Sequence, residues 1–194
     1  MEGTDPVNKK LAAALSGCAA LVLALTGCSD DSGKKTDDWA KKVCDDMQTQ
    51  VKKIQEANAS LAKVNRGQNS PEEVKKADAA AFQKVSDAYG SLAASFKEAG
   101  APPVDGGEKT QKDVVAELDS LSKGYADLKK KADKLNPDKG FDKGLEEIAT
   151  KLGELGKGGA KAFDKLGKGD LGKSMTNQEG CKKPTGAPSG PAAD

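Results

Sequence analysis

Four cysteines are the side chains best suited to covalent chemistry in this 194-residue chain. They are Cys18, Cys28, Cys44 and Cys181, and no histidine accompanies them. The absence of histidine excludes a Ser-His-Asp triad, a Cys-His pair and any histidine-containing zinc or di-iron site. No two of the cysteines have Cys-x-x-Cys spacing, so a redox or metal motif is not indicated. Two reactions therefore remain for these thiols, attachment of a lipid and formation of a disulfide.

The other polar residues give little indication of catalysis. The run Ser120-Leu121-Ser122-Lys123 matches Ser-x-x-Lys formally, but it falls in the middle of a predicted helix, where a polar face is expected. Glycines at 156–159 lack the spacing of a phosphate-binding loop. We therefore predict no catalytic residue, no cofactor and no metal. Glutamates flank the predicted apolar helix faces and are expected in solvent: Glu72, Glu73, Glu117, Glu146 and Glu147.

The first segment of the chain has the pattern of an export signal. Lys9 and Lys10 precede an apolar run over 11–27, and the run ends in Leu25-Thr26-Gly27-Cys28. This ending resembles the lipobox of bacterial lipoproteins. The resemblance implies that the Cys28 thiol receives a diacylglycerol and that the chain is then cut before Cys28. It predicts a signal peptide over 1–27 and attachment to the extracytoplasmic face of the cell membrane.

Processing at Cys28 has three alternatives. A second lipobox-like match ends at Cys18, but the apolar run before it is short and continues after it. Cys28 is instead followed by polar residues, which predict a flexible tether over 28–36. An uncut signal anchor or ordinary secretion are the other interpretations, although 17 apolar or small residues lie at the lower limit for a membrane span.

After this processing two cysteines remain, Cys44 and Cys181. Export places them outside the cytoplasm, where disulfides persist, so we predict that they pair. Two buried free thiols are the alternative. Such a bridge closes a long loop, for which the chain-entropy model gives about 4–5 kcal/mol of stabilisation.

Apolar residues recur at helical spacing through the rest of the chain and predict four helices. The first opens at Asp37 and Asp38 and ends near 66–67. The second begins with the capping signature Ser70-Pro71-x-Glu73 and ends before 100–103. The third covers about 108–135, and the fourth covers 141–166. Because interior glycines weaken a helix, the fourth is expected to fray or break near Gly158-Gly159.

Short linkers between these helices favour an all-α domain over 37–181, an antiparallel up-down-up-down four-helix bundle. A pair of long helical hairpins with a partly open groove is the alternative. In the bundle, a tail of about 15 residues returns Cys181 to Cys44 in the first helix. The remainder, 182–194, is rich in proline, glycine and alanine and is expected to be disordered.

Several groups of residues are compatible either with a binding role or with a purely structural one. Aromatic residues at helical spacing (Trp39, Phe82, Tyr89 and Tyr125) are expected in the core rather than in a ligand groove. Asn58 lies on the apolar face of the first helix, where a buried asparagine fixes register. Two groups of lysines either contact anionic lipid or cell-wall polymer or form a solvated face: Lys129, Lys130 and Lys131, and Lys151, Lys157, Lys161, Lys165, Lys168 and Lys173.

Taken together, the chain resembles the uncharacterised small secreted lipoproteins of actinobacteria. The features that carry this resemblance are the lipobox at Cys28, the opening Asp37-Asp38-Trp39 with Cys44 soon after, and Cys181 before the Pro/Gly-rich end. A net charge of +1 gives no indication of nucleic-acid binding. We predict a non-enzymatic envelope protein that contacts an envelope protein or cell-wall polymer. The alternative is a ligand-binding or sensory module for a small apolar molecule or lipid.

Overall fold

A computed structural model describes the backbone of 16–64 and 69–182 and the side chains of 31–64, 69–160 and 163–182. Within these residues the chain is all-helical, with no strand. No described helix has the length and apolar character needed to cross a membrane. The elements are α1 (Ser16–Val64), α2 (Pro71–Ala99), α3 (Gly107–Asp133), α4 (Phe141–Leu166), α5 (Gly169–Thr176) and a 3-10 turn, η1 (Glu179–Cys181).

The first helix starts earlier than the sequence predicts. Residues 28–36, expected as a flexible tether, are part of α1, and Asp37 and Asp38 lie inside the helix rather than at its start. No proline interrupts this segment, and packing against the loop after α2 holds its end in place. Thr36 is buried there, with its hydroxyl 2.9 Å from the Ser32 carbonyl and 3.4 Å from the Pro103 carbonyl. The side chains of Cys18 and Cys28 and residues 1–15 lie outside the described residues.

The predicted start of the second helix is confirmed. The Glu73 amide donates to the Ser70 hydroxyl, and the Glu73 carboxylate accepts from the Ser70 amide at 2.8 Å. This capping box satisfies two amide groups that the first turn of a helix leaves without partners. Pro71 occupies the first helical position, and Gly100, with φ of 76°, ends the helix.

The fourth helix runs without a break through Gly158-Gly159, contrary to the expected fraying. Several of its glycines lie where α4 approaches α3 and the residues that follow α3, whereas Gly153 and Gly156 have open space around them. A methyl group on Gly158 would lie 2.6 Å from Oε1 of Glu117, and one on Gly144 would clash with the Leu135 side chain. The loss of helix propensity at these positions is therefore offset by close packing between the two helices.

The core is divided into clusters along the helices. The largest joins the middle of α1, the end of α2, the start of α3, the end of α4 and α5, and includes Trp39, Phe96 and Leu118. A second, at the opposite end, contains Phe82, Leu128, Ala132 and Ile148. Trp39 is confirmed as a core residue: it is 8 % exposed, and its Nε1 donates to the Gly100 carbonyl at 3.0 Å.

The chain closes on itself through α5 and η1 rather than through the extended tail predicted before Cys181. Leu171 and Met175 anchor α5 in the core. The predicted Cys44–Cys181 disulfide is present, with 5.0 Å between the two Cα atoms, and joins η1 to α1. Residues 183–194, expected to be disordered, lie outside the described residues.

Candidate functional site

An apolar groove lies between α1 and α4, whose described parts make no extended contact with each other. Helices α2 and α3 lie between them, because α2 packs on both α1 and α3, and α3 packs on α4. Two pockets lie along this α1–α4 groove, and six of the apolar side chains that line them are half-buried: Met47, Val51 and Leu61 of α1, and Leu145, Leu152 and Phe163 of α4. Polar side chains, among them Gln48 and Lys52, also line one of the pockets.

Asn58 is exposed to solvent, although it lies among apolar residues of α1. It follows Ile54 by one helical turn and precedes Leu61 on the same face of α1, yet its side chain is exposed. The expectation that Asn58 is buried and fixes the register of the helices is therefore wrong. The reason is that the preceding residue, Ala57, faces the core instead: it is fully buried and packs with Ala81 and Val85 of α2.

Two tyrosines, Tyr89 of α2 and Tyr125 of α3, lie between α1 and α4. Their rings stack with centroids 5.6 Å apart, and both residues are half-buried. Burial raises the pKa of Tyr89 to about 12, so its hydroxyl stays protonated at neutral pH. Gly159 of α4 faces this hydroxyl: a methyl group built there would lie 3.7 Å from it. These tyrosines lie at helix–helix contacts, as expected for core residues, but they are not sealed from solvent.

The end of the groove nearest the start of α2 contains a buried carboxylate, Asp78. Only 4 % of Asp78 is exposed, and its Oδ1 atom has no hydrogen-bond partner among the described residues. Burial raises the pKa of this carboxyl to about 6. The pocket around it has a volume of about 350 Å³ and is otherwise apolar: Leu61, Phe82, Leu145, Ile148, Ala149 and Leu152.

A second pocket, of about 500 Å³, lies at the disulfide end of the groove. Its apolar lining comes from Met47, Val51 and Phe163, together with Cys181. Two concavities of about 640 Å³ lie elsewhere. One is lined by the loop after α2, by α5 and by α1 residues within 32–36, and the other by the same loop and the first turns of α3. The pocket around Asp78 is distinguished from all three by a buried carboxylate without a partner.

The two groups of lysines occur largely in ion pairs. Each lysine of the run 129–131 contacts a carboxylate, namely Asp133, Asp127 and Glu147 in turn. In the second group, Lys165 lies 2.9 Å from Asp113, while Lys151 and Lys173 pair within their own helices. Because neighbouring acids offset these charges, a solvated face is supported over a single-sign surface.

The glutamates considered for chemistry do not converge. Glu72, Glu73, Glu146 and Glu147 are exposed on the ends of α2 and α4, and Glu117 lies beside Gly158. In the described part of the chain, no group of three or more acidic or cysteine side chains could hold a metal ion. The Cys44 and Cys181 thiols are both used in the disulfide.

Asp78 was missed by the sequence reasoning, although a signal for it exists. It lies four residues after Val74 and four before Phe82, so a helical period places its carboxylate on the buried face of α2. The alanines at 77 and 81 also have helical spacing, so the pattern assigns them to the apolar face in place of residue 78. The signal is a single acidic residue that lies one helical turn from an apolar residue on each side, which indicates that the acid is on the buried face.

Comparison of this chain with protein families, curated proteins and solved structures found no match. Fold analogy therefore supplies no function. The argument for function rests on the α1–α4 groove, on Asp78 within it and on the sequence around Cys28.

Proposed function

We propose that the mature protein begins at Cys28, carries a diacylglycerol on that thiol and is held at the extracytoplasmic face of the bacterial cell membrane. The sequence Leu25-Thr26-Gly27-Cys28 supports this location. A Cys44–Cys181 disulfide is also in keeping with an oxidising compartment. Two acyl chains give firm attachment, whereas a single chain of about 14 carbons binds reversibly.

Mass spectrometry of the protein extracted from membranes tests this location. We expect a mature N-terminus at Cys28 with a mass increment for the lipid, and a Cys28→Ala variant that carries no lipid and keeps residues 1–27. A Cys18→Ala variant is the matched control and should be processed as before. A mature N-terminus at any other residue would overturn the proposal.

We also propose that α1 to α4 form an antiparallel up-down-up-down bundle, left open between the first and last helices. Contacts between opposite ends support it: Trp39 near the start of the domain meets Gly100 after α2, and Gln111 of α3 donates to the Phe96 carbonyl. Lys131 near the end of α3 pairs with Glu147 near the start of α4. Spin labels at Lys42 and Glu98 should lie close together, and labels at Lys42 and Pro71 far apart.

For molecular function, we propose a non-enzymatic module that binds a small apolar or amphipathic molecule in the α1–α4 groove. The observation that carries this proposal is the buried, unpartnered carboxylate of Asp78 inside an apolar pocket. Ligand sites are typically concave and apolar, with a few polar groups that orient the ligand. Pockets of about 350 and 500 Å³ fall in the size range of roughly 300–1,000 Å³ found for small molecules.

A structural or protein-interaction role at the envelope is the second candidate. The half-buried apolar walls of the groove favour it, because an exposed apolar surface also suits a protein partner. The cell-wall polymer considered from the lysines receives less support, since most of the lysines that would bind it are ion-paired.

The two functions differ in their response to a probe that fits a pocket. We expect the neutral dye N-phenyl-1-naphthylamine to gain fluorescence on binding to the purified, delipidated protein. Ala149→Phe should fill the pocket beside Asp78 and weaken binding about tenfold or more, a loss of one or two kcal/mol. Ala116→Phe, on the exposed face of α3, is the matched control. Absence of binding, or equal binding by both variants, would reject the ligand-binding function.

A further inference from the structure

Asp78 is a charged group held in apolar surroundings without compensation. It is 4 % exposed, and its pocket is lined by aliphatic side chains and one aromatic ring. None of the ion pairs among the described residues includes it. Because the pKa of Asp78 is raised only to about 6, the carboxyl is ionised at pH 7.5 and remains buried. A buried carboxylate of this kind is costly unless a donor reaches it.

We propose that the Asp78 end of the α1–α4 groove binds an organic cation, an ammonium group attached to a small apolar body. This inference rests on the ligand-binding function proposed above and names the class of ligand. The ammonium would pair with the Asp78 carboxylate, which lines the pocket and whose Oδ1 atom has no hydrogen-bond partner among the described residues. The body of the ligand would contact Leu145, Ile148 and Leu152 of α4.

The charge of the pocket favours an organic cation over an anionic or a neutral ligand. An anionic ligand would meet a carboxylate in a low-dielectric pocket and be repelled. A neutral apolar ligand would fill the space but leave the carboxylate unpaired, at a cost. A cation gains a charge-assisted hydrogen bond, and Phe82 adds an aromatic ring to the pocket lining, a surface that attracts ammonium groups.

The size of the pocket limits the body of the ligand. A volume of about 350 Å³ accommodates a small aromatic or alkyl body, for which a single ring is the simplest probe. Benzylamine, benzyl alcohol and benzoate are therefore suitable probes, since they share a ring and differ chiefly in charge. Each is titrated by calorimetry into the whole delipidated protein at pH 7.5, where benzylamine is a cation.

For the unmodified protein we expect benzylamine to bind about tenfold or more tightly than benzyl alcohol, and benzoate not to bind. This comparison requires no variant. In Asp78→Asn the preference for the cation should disappear, with benzyl alcohol binding unchanged or tighter. Asp87→Asn, an exposed position on the same helix, is the matched control and should keep the preference.

The outcomes separate the two proposals. Equal affinity for benzylamine and benzyl alcohol, or a cation preference that survives in Asp78→Asn, would overturn the organic-cation site while leaving the ligand-binding groove intact. Binding of none of the probes, including N-phenyl-1-naphthylamine, would overturn both. Circular dichroism of each variant shows whether the helices are retained.

Discussion

Gly180 lies directly against the backbone of Cys44. Cys44 forms the disulfide with Cys181, the residue that follows Gly180. A methyl group on Gly180 would lie 2.6 Å from the Cys44 carbonyl carbon and 3.0 Å from the Asp45 amide nitrogen. Both are backbone atoms of a long helix and have little freedom to move. The η1 turn therefore docks on α1 only because residue 180 lacks a side chain.

We expect Gly180→Ala to destabilise the folded protein by about 1–3 kcal/mol, the usual range for overpacking a fixed site. The free energy of unfolding from urea titration measures this change. Gly156→Ala, at an exposed position with no atom near the added methyl group, is the control. Equal stability of the Gly180→Ala variant and the unmodified protein would contradict this account of the docking.

The Cys44–Cys181 bridge spans a sequence separation of 137 residues. A loop of that length restricts the unfolded chain strongly, and the chain-entropy model gives up to about 5 kcal/mol. We expect the double variant Cys44→Ser, Cys181→Ser to lose about 2–5 kcal/mol in urea titration. Addition of dithiothreitol should lower the stability of the unmodified protein similarly and leave the double variant unaffected. A loss below half a kcal/mol would show that the bridge contributes little.

The sequence was most informative where local signals act alone. Ser70, Pro71 and Glu73 fix the start of α2 through a cap that needs no distant contact, and the structure confirms it. By contrast, α5 is an eight-residue helix with two glycines and weak intrinsic propensity. It forms because Leu171 and Met175 enter the core, which no local pattern reveals.

Two features that the sequence did not predict depend on packing between distant residues. The segment 28–36 carries no apolar period, and its helical form is held by contacts such as that of Thr36 with the loop at Pro103. From the sequence alone, Asp78 is expected at the surface. In the structure it lies in a pocket with Leu61 of α1 and Leu145 of α4. The open groove also depends on how far apart the outer helices lie, which hydrophobic spacing along one helix does not determine.

The stability of the protein should depend on the charge of Asp78. Its carboxyl has a pKa of about 6 in the folded protein, above the ordinary value of 3.8, so folding favours the protonated form. Below about pH 4 the group is protonated in both states, and its burial carries no charge penalty. As pH rises from 4 to above 6, the folded state must hold a carboxylate in an apolar pocket and stability falls.

Asp78→Asn removes this pH dependence. Because the pocket is partly open to solvent, we expect the variant to gain about 1–2 kcal/mol relative to the unmodified protein between pH 4 and pH 7.5. Urea titrations of both proteins at the two pH values give this change directly. Contributions from other carboxyls cancel in the comparison, and Asp87→Asn should show no such shift. A stability difference that is constant with pH would disprove the burial of a charged Asp78.

Glycines of α3 and α4 should respond in opposite ways to an added methyl group, according to whether they face the neighbouring helix. Gly153 of α4 is exposed with open space around it, so Gly153→Ala should stabilise the protein by about 0.5–1 kcal/mol through helix propensity. Gly124 of α3 faces Leu155, and an added methyl group would lie 3.1 Å from its Cδ1 atom and closer still to Cδ2. We expect Gly124→Ala to be about 1–2 kcal/mol less favourable than Gly153→Ala in urea titration.

The clash at Gly124 can be separated from any other effect by a double-mutant cycle. Leu155→Ala removes the side chain that opposes the new methyl group, at its own cost in buried surface. In that background Gly124→Ala should become stabilising and approach the gain seen at Gly153, because only helix propensity remains. If Gly124→Ala has the same effect with and without Leu155, the close approach of α3 and α4 is not the reason for glycine at position 124. The position of α4, which forms one wall of the α1–α4 groove, would then not be fixed by this contact.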